Sequence, residues 1–227
     1  MVIRVAFTRL DMLYQRANYI IRNEGWRAFI RQGFSFVRNL FFSCGNYYIY
    51  EKNVNSADEE IKFKPKIDCT PGVISRPDEF DGLIAQGYDF KAMNFRRKLE
   101  KGALAFCFFV GKELVHVTWL APNKEAKQEI DYLPFKVDFK AGEVCSGASS
   151  TDPAHRGKGL FSPIYSLIFS YLAKHGILKD KFTIEVSNVV SQRALAKFNP
   201  VTTGRGRYLK ILWWQSWKES PMEGTKQ

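Results

Sequence analysis

Two glycines flanking a lysine and preceded by an arginine, Arg156-Gly157-Lys158-Gly159, are the residues whose types and spacing suggest binding chemistry. Glycine lets the backbone approach a bound group without side-chain obstruction. A turn that opens a helix also aims successive N–H groups at one point, where the helix terminus adds positive potential. Arg156 and Lys158 would reinforce that potential, so the expected guest is a phosphate or diphosphate. By itself the tetrapeptide fits a plain surface turn as well. The four cysteines, Cys44, Cys69, Cys107 and Cys145, form no C-x-x-C pair, and the three histidines, His116, His155 and His175, show no ligand spacing. Neither a zinc site nor any other metal is expected.

The neighbouring elements give the turn its context. A strand from about Glu143 to Ser149 precedes it, and a helix follows in which Ile164, Leu167, Ile168, Tyr171 and Leu172 recur at helical spacing. Ser162 and Pro163 read as its N-cap and first position, and His175-Gly176 ends it. Next come a strand over Lys181 to Val186, the run Ser187-Asn188-Val189-Val190-Ser191, a short helix over Gln192 to Phe198, and an aromatic strand over Tyr208 to Trp214. Upstream, Tyr47 to Tyr50 is β-prone, Pro71 to Pro77 reads as loop, and Glu79 to Lys101 reads as helix broken near Gly87. Ala103 to Val110 and Leu114 to Leu120 make a hairpin about Gly111, followed by an irregular charged stretch over Pro122 to Asp131.

The 227 residues suit one large domain with an appendage, and 45% apolar with 25% charged residues exclude disordered, collagen-like and multi-span membrane classes. The 34 Lys and Arg against 23 Asp and Glu leave a formal charge of +11, which favours polyanionic partners. Residues 1 to 50 carry seven arginines and no lysine, with Arg27, Arg31 and Arg38 opposite Trp26, Phe29, Phe36, Val37 and Leu40 on a helical wheel. Such a helix suits either a membrane interface or docking on the main domain, and a homo-oligomer contact is a third use. The expected organisation is a basic amphipathic helical extension over 1–45, a main domain over 46–217 and a flexible tail over 218–227. No signal peptide or spanning segment is read, so the expected location is cytoplasmic, with peripheral membrane attachment through the extension left open.

The glycine turn, the helix and strand after it, and Asn188-x-x-Ser191 resemble the GNAT superfamily of acyl-CoA-dependent N-acyltransferases. Its turn, Arg/Gln-x-x-Gly-x-Gly/Ala, is matched at Arg156 and Gly159, with Phe161 in place of the last small residue. Its Asn-x-x-Ser then Lys-Phe segment is matched at Asn188, Ser191 and Lys197, with Asn199-Pro200 in place of Gly-Phe. The resemblance covers roughly Ala103 to Trp214 and is strongest over Glu143 to Phe198. It implies an α/β fold of the α+β kind, with a mixed, mostly antiparallel central sheet flanked by helices and two parallel strands that splay apart. Acetyl-CoA or another acyl-CoA would be the co-substrate and a small-molecule amine, such as an amino sugar, the acceptor. Ser149, Thr151, Arg156, Gly157, Lys158, Gly159, Leu160, Phe161, Asn188 and Ser191 would hold the cofactor.

The amine would attack the thioester directly, so no protein nucleophile is required. Glu143, thirteen residues before Arg156, matches the family's general base. The family's tyrosine acid falls on Leu195, which leaves Tyr165, Tyr208 or solvent to protonate the thiolate. A non-catalytic acyl-CoA-binding protein of the same fold, held at a membrane or an assembly by its N-terminal helices, is the alternative. Nucleic acid is not an expected partner, because the apolar run after Gly204-Arg205-Gly206-Arg207 suits sheet packing.

Overall fold

The computed structural model describes residues 42–55, 58, 60–90 and 94–222. Its strands are β1 Phe42–Asn53, β2 Thr70–Ile74, β3 Leu104–Val110, β4 Glu113–Ala121, β5 Glu143–Thr151, β6 Lys179–Glu185, β7 Val201–Ile211 and β8 Trp214–Pro221. The helices are α1 Pro77–Ala85, α2 Phe95–Glu100, α3 Lys124–Ile130, α4 Phe161–Lys174 and α5 Val189–Ala196. The chain divides into a unit of residues 46–207 with 217–227 and a unit of 1–45 with 208–216. In the larger unit β2 to β6, with the parts of β1, β7 and β8 that it holds, form one mixed sheet in the order β2-β3-β4-β5-β6-β1-β7-β8. This is the architecture that the resemblance implies.

β3 and β4 are the centre of the core because nearly every residue in them is apolar or small. Ala105, Phe106, Cys107, Leu120 and Ala121 are wholly buried. α4 lies on one face of the sheet because Ile164, Tyr165, Ile168, Phe169 and Leu172 fall on one side of it, and all five are buried with Phe106, Val144, Phe182 and Ile184. Its end is set by Gly176 at φ +67°, where an L side chain would be strained.

Among the described residues β5 and β6 pair in parallel, over a short stretch only. Glu143, Val144 and Cys145 face Lys179, Asp180 and Lys181. Beyond that point β5 follows β4 up to His116↔Thr151, while β6 follows β1 up to Tyr47↔Glu185. A bulge in β5 assists the divergence. Between the pairs Val117↔Ser150 and Trp119↔Gly147, β5 runs through three residues against two of β4, and Ala148 takes up φ +48°.

Several segments differ from the sequence expectations. Pro71 to Pro77 contains β2, an edge strand, where a proline is tolerated. The charged stretch holds α3, started by the Asn123 side chain accepting from the Ala126 amide at 2.7 Å. The short helix after β6 begins at Val189, three residues earlier than expected, and the aromatic strand belongs to a longer hairpin that turns at 212–213. Residues 218–221 are the end of β8, so the expected tail from 218 starts too early. Residues 42–45 are strand, and the arginine-rich helices lie outside the described residues, as does their expected membrane or oligomer contact. Among the described residues no helix is long and apolar enough to cross a membrane.

Phe182 sits where α4, β5 and β1 meet, stacked on Tyr50 at 5.6 Å and tilted against Tyr165 at 6.0 Å. Phe182→Ala leaves a cavity there and lowers unfolding free energy by about 3–5 kcal/mol, as read from denaturant melts.

Candidate functional site

The divergence of β5 from β6 opens a cleft of about 960 Å³ in the larger unit, walled by both strands, the start of α4, and α5. Ser149 and Thr151 of β5 line it, as do Arg156, Gly157, Gly159, Leu160 and Phe161 of the turn and Asn188 and Ser191 at the start of α5. Lys158 is not among the lining residues.

The turn is built for close approach. Gly157 and Gly159 hold φ +76° and +70°, in the left-handed region where glycine is unstrained. A Cβ on Gly159 would press the Lys66 side chain at 3.1 Å, whereas one on Gly157 would meet open space. Among the described residues the amides of 157–162 donate to no main-chain carbonyl, and the first such bond in α4 is from Ile164 to Leu160 at 3.2 Å. Exposed glycine amides and a helix N-terminus therefore converge on one end of the cleft, beside Arg156 and Lys66. Asp152 steadies the approach to the turn, its carboxylate accepting from the Ala154 amide at 2.9 Å and pairing with His155 at 3.2 Å. The departure at Phe161 does not fill the cradle. Its ring packs at 4.9 Å on Tyr165 and edge-on to His116 at 6.3 Å.

Asn188 lies on the cleft wall, and its oxygen accepts the Ser191 amide at 3.2 Å. The Asn-x-x-Ser spacing is thereby explained as a helix N-cap. Asn188 can still meet a guest through its amide nitrogen.

Glu143 is placed differently from the expectation. It does not line the cleft. Its carboxylate pairs with Lys179 at 3.4 Å and Lys181 at 3.1 Å, and both lysines also pair with Glu51. Burial pushes the Glu143 pKa up, but the Asp138 amide and the two ammoniums outweigh it and hold the group below the usual carboxylate range. A carboxylate so neutralised is a weak proton acceptor and ties the paired end of β5 and β6. Tyr208 is buried on β7 and does not line the cleft. Tyr165 does line it, buried on α4, with a pKa driven well up by burial, so its phenol stays protonated.

Sequence reasoning missed Lys66 and the polar groups beneath the cleft. Lys66 comes from a segment far from the turn and carries no motif, whereas Lys197, of the matched segment after Ser191, also lines the cleft. Beneath β5, His116 Nδ1 meets Thr151 Oγ1 at 2.7 Å and its Nε2 meets Thr118 Oγ1 at 3.2 Å, while Thr118 Oγ1 meets Ser149 Oγ at 2.8 Å. Asp180 is wholly buried, accepting from Ser146 N at 2.9 Å and Ser146 Oγ at 2.6 Å. Alternation along a strand could have signalled an inward aspartate at 180, but its partner is thirty-four residues away in sequence.

No protein-family model and no curated protein matches the chain. Among solved structures it is similar to a Drosophila melanogaster protein at 12% identity and TM-score 0.47, with 80% of this chain and 56% of that one covered. It is also similar to a GNAT-family acetyltransferase from Colwellia psychrerythraea at 13% identity and TM-score 0.44, covering 75% and 56% respectively. A GCN5-related N-acetyltransferase from Kribbella flavida matches at 13% identity and TM-score 0.43, covering 79% and 63%. The chain thus spans 56 to 63% of the length of these three.

Burial pushes the His116 pKa down to about 4, so the imidazole is neutral in the folded protein at ordinary pH. Its folded pKa lies below its unfolded one near 6.5. The stability it protects is therefore complete above pH 6.5 and is lost as pH falls toward 4, by up to about 3 kcal/mol. Denaturation of the wild type and His116→Gln across this range is expected to show that acid-side slope in the wild type and a shallower one in the variant.

Proposed function

We propose that this protein is a GNAT-type N-acyltransferase that takes an acyl group from acetyl-CoA or a longer acyl-CoA and passes it to a primary amine. The observation that carries the reading is the set of amides over 157–162 at the mouth of a cleft opened by two diverging parallel strands. A diphosphate would take those amides, with Arg156 and Lys66 offsetting its charge. The edge of β5 that β6 leaves unpaired is free to bond a pantetheine-like amide chain beside Ser149 and Thr151. Its thioester end would then lie toward Tyr165.

The chemistry asked of the chain is modest. A thioester held against an amine gains most of its acceleration from positioning, and the thiolate leaving group needs one proton. Tyr165, protonated and in the cleft wall, is the donor that the geometry favours. The overall charge of +11 suits a multiply phosphorylated co-substrate. The acceptor is proposed only as a primary amine of a small molecule.

Calorimetric titration with coenzyme A tests the cradle. Gly157→Glu and Gly159→Glu each place a carboxylate among the amides and are expected to abolish binding, while Arg156→Ala weakens it about tenfold to a hundredfold. Release of CoA thiol from acetyl-CoA, unchanged in both glycine variants, would eliminate the reading. Binding with no thiol release over a panel of primary amines would favour the non-catalytic alternative.

A further inference from the structure

Neighbouring hydroxyl groups lead from the cleft wall to a wholly buried carboxylate. The Tyr165 phenol, in the wall, faces the hydroxyls of Ser146 and Ser149. Ser146 in turn donates its hydroxyl to Asp180 at 2.6 Å, and Ser149 meets Thr118 at 2.8 Å. Asp180 is 0% exposed and stands in the short stretch over which β5 pairs with β6, one residue before that pairing ends. From this geometry we infer that Asp180 is the proton store of the site, exchanging a proton with the cleft through Ser146 and Tyr165.

The inference rests on the acyl-transfer reading above and adds the residues that handle the proton. As the carbon–sulfur bond breaks, its electron pair stays on sulfur. Tyr165 passes its proton to that sulfur, Ser146 reprotonates Tyr165, and the acid form of Asp180 reprotonates Ser146. The amine nitrogen, having formed the new carbon–nitrogen bond, sheds one proton, and the Asp180 carboxylate takes it back along the same hydroxyls. No proton is gained or lost over a turnover. Each hydroxyl both donates and accepts, so the chain needs only a reversal of its hydrogen bonds.

The surroundings permit Asp180 to hold a proton. Burial is the main cause pushing its pKa up to about 7, with the two Ser146 bonds opposing it. The groups that face it are Ser146 and the Cys145 thiol on β5 and Tyr165 on α4. Lys52, its register partner on β1, commits its ammonium to Asp58 at 2.8 Å and the Asn53 carbonyl at 2.7 Å. A carboxyl that only clamped two strands would be indifferent to the phenol and to the cofactor; Asp180 should respond to both.

The test is carbon NMR of full-length protein labelled at the aspartate carboxyl carbons, titrated from pH 5 to 9 with and without coenzyme A. One resonance is expected to titrate near neutrality and to be absent in Asp180→Asn. Its midpoint should rise by about one pH unit in Ser146→Ala, which removes a donor to the charged form. Coenzyme A should move the midpoint in the wild type and leave it in place in Tyr165→Phe. If Asp180→Asn does not fold, the serine and phenylalanine variants carry the test alone. A midpoint indifferent to Tyr165→Phe and to coenzyme A, in samples that calorimetry shows to bind it, overturns the relay while sparing the proposed function. Failure of the wild type to bind coenzyme A removes both.

Discussion

Two hydrogen bonds from Ser146 to the Asp180 carboxylate end the parallel ladder of this sheet, and the rest of the site depends on that ending. Up to Cys145 and Lys181, main-chain groups of β5 and β6 pair with each other. At Ser146 the amide turns to the side chain of Asp180 instead. A buried N–H without a partner costs about 1–3 kcal/mol, so the carboxylate lets the strands part without that penalty. The bulge at Ala148 then carries β5 away along β4, and the space between becomes the cleft.

The floor of that cleft is polar for the same reason that it is ordered. His116, Thr118, Ser149 and Thr151 satisfy one another, as do Ser146 and Asp180, and among the described residues no buried side-chain nitrogen or oxygen is left without a partner. In a low-dielectric interior such a network is rigid when complete and costly when one member is removed. Around it the aromatic groups Phe161, Phe169, Phe182 and Phe198 exclude water.

Charge is divided between the two ends of the diverging pair. At the closed end Glu143, Glu51, Lys179 and Lys181 cancel one another, which holds the strands together and removes Glu143 from proton chemistry. At the open end Arg156 and Lys66 stand beside unengaged amides with positive potential to spare. That end has the electrostatic character that attracts an anion.

What could be read from the chain by itself was local. The Gly157 and Gly159 turn, the helix over Phe161–Lys174 and the β3–β4 hairpin follow from glycine's conformational freedom and from apolar periods of 3.6 and 2, which act within a few residues. The residues at the cleft mouth were legible because one turn carries most of them. Glu143, by contrast, matched a spacing yet spends its charge on lysines from β6, and strand alternation could mark Asp180 as inward but not as the partner of Ser146 on a neighbouring strand. Which carboxylate is neutralised by cations and which is buried among hydroxyls depends on the strands brought beside it. Burial and charge pairing act through space, so only the tertiary structure decided them.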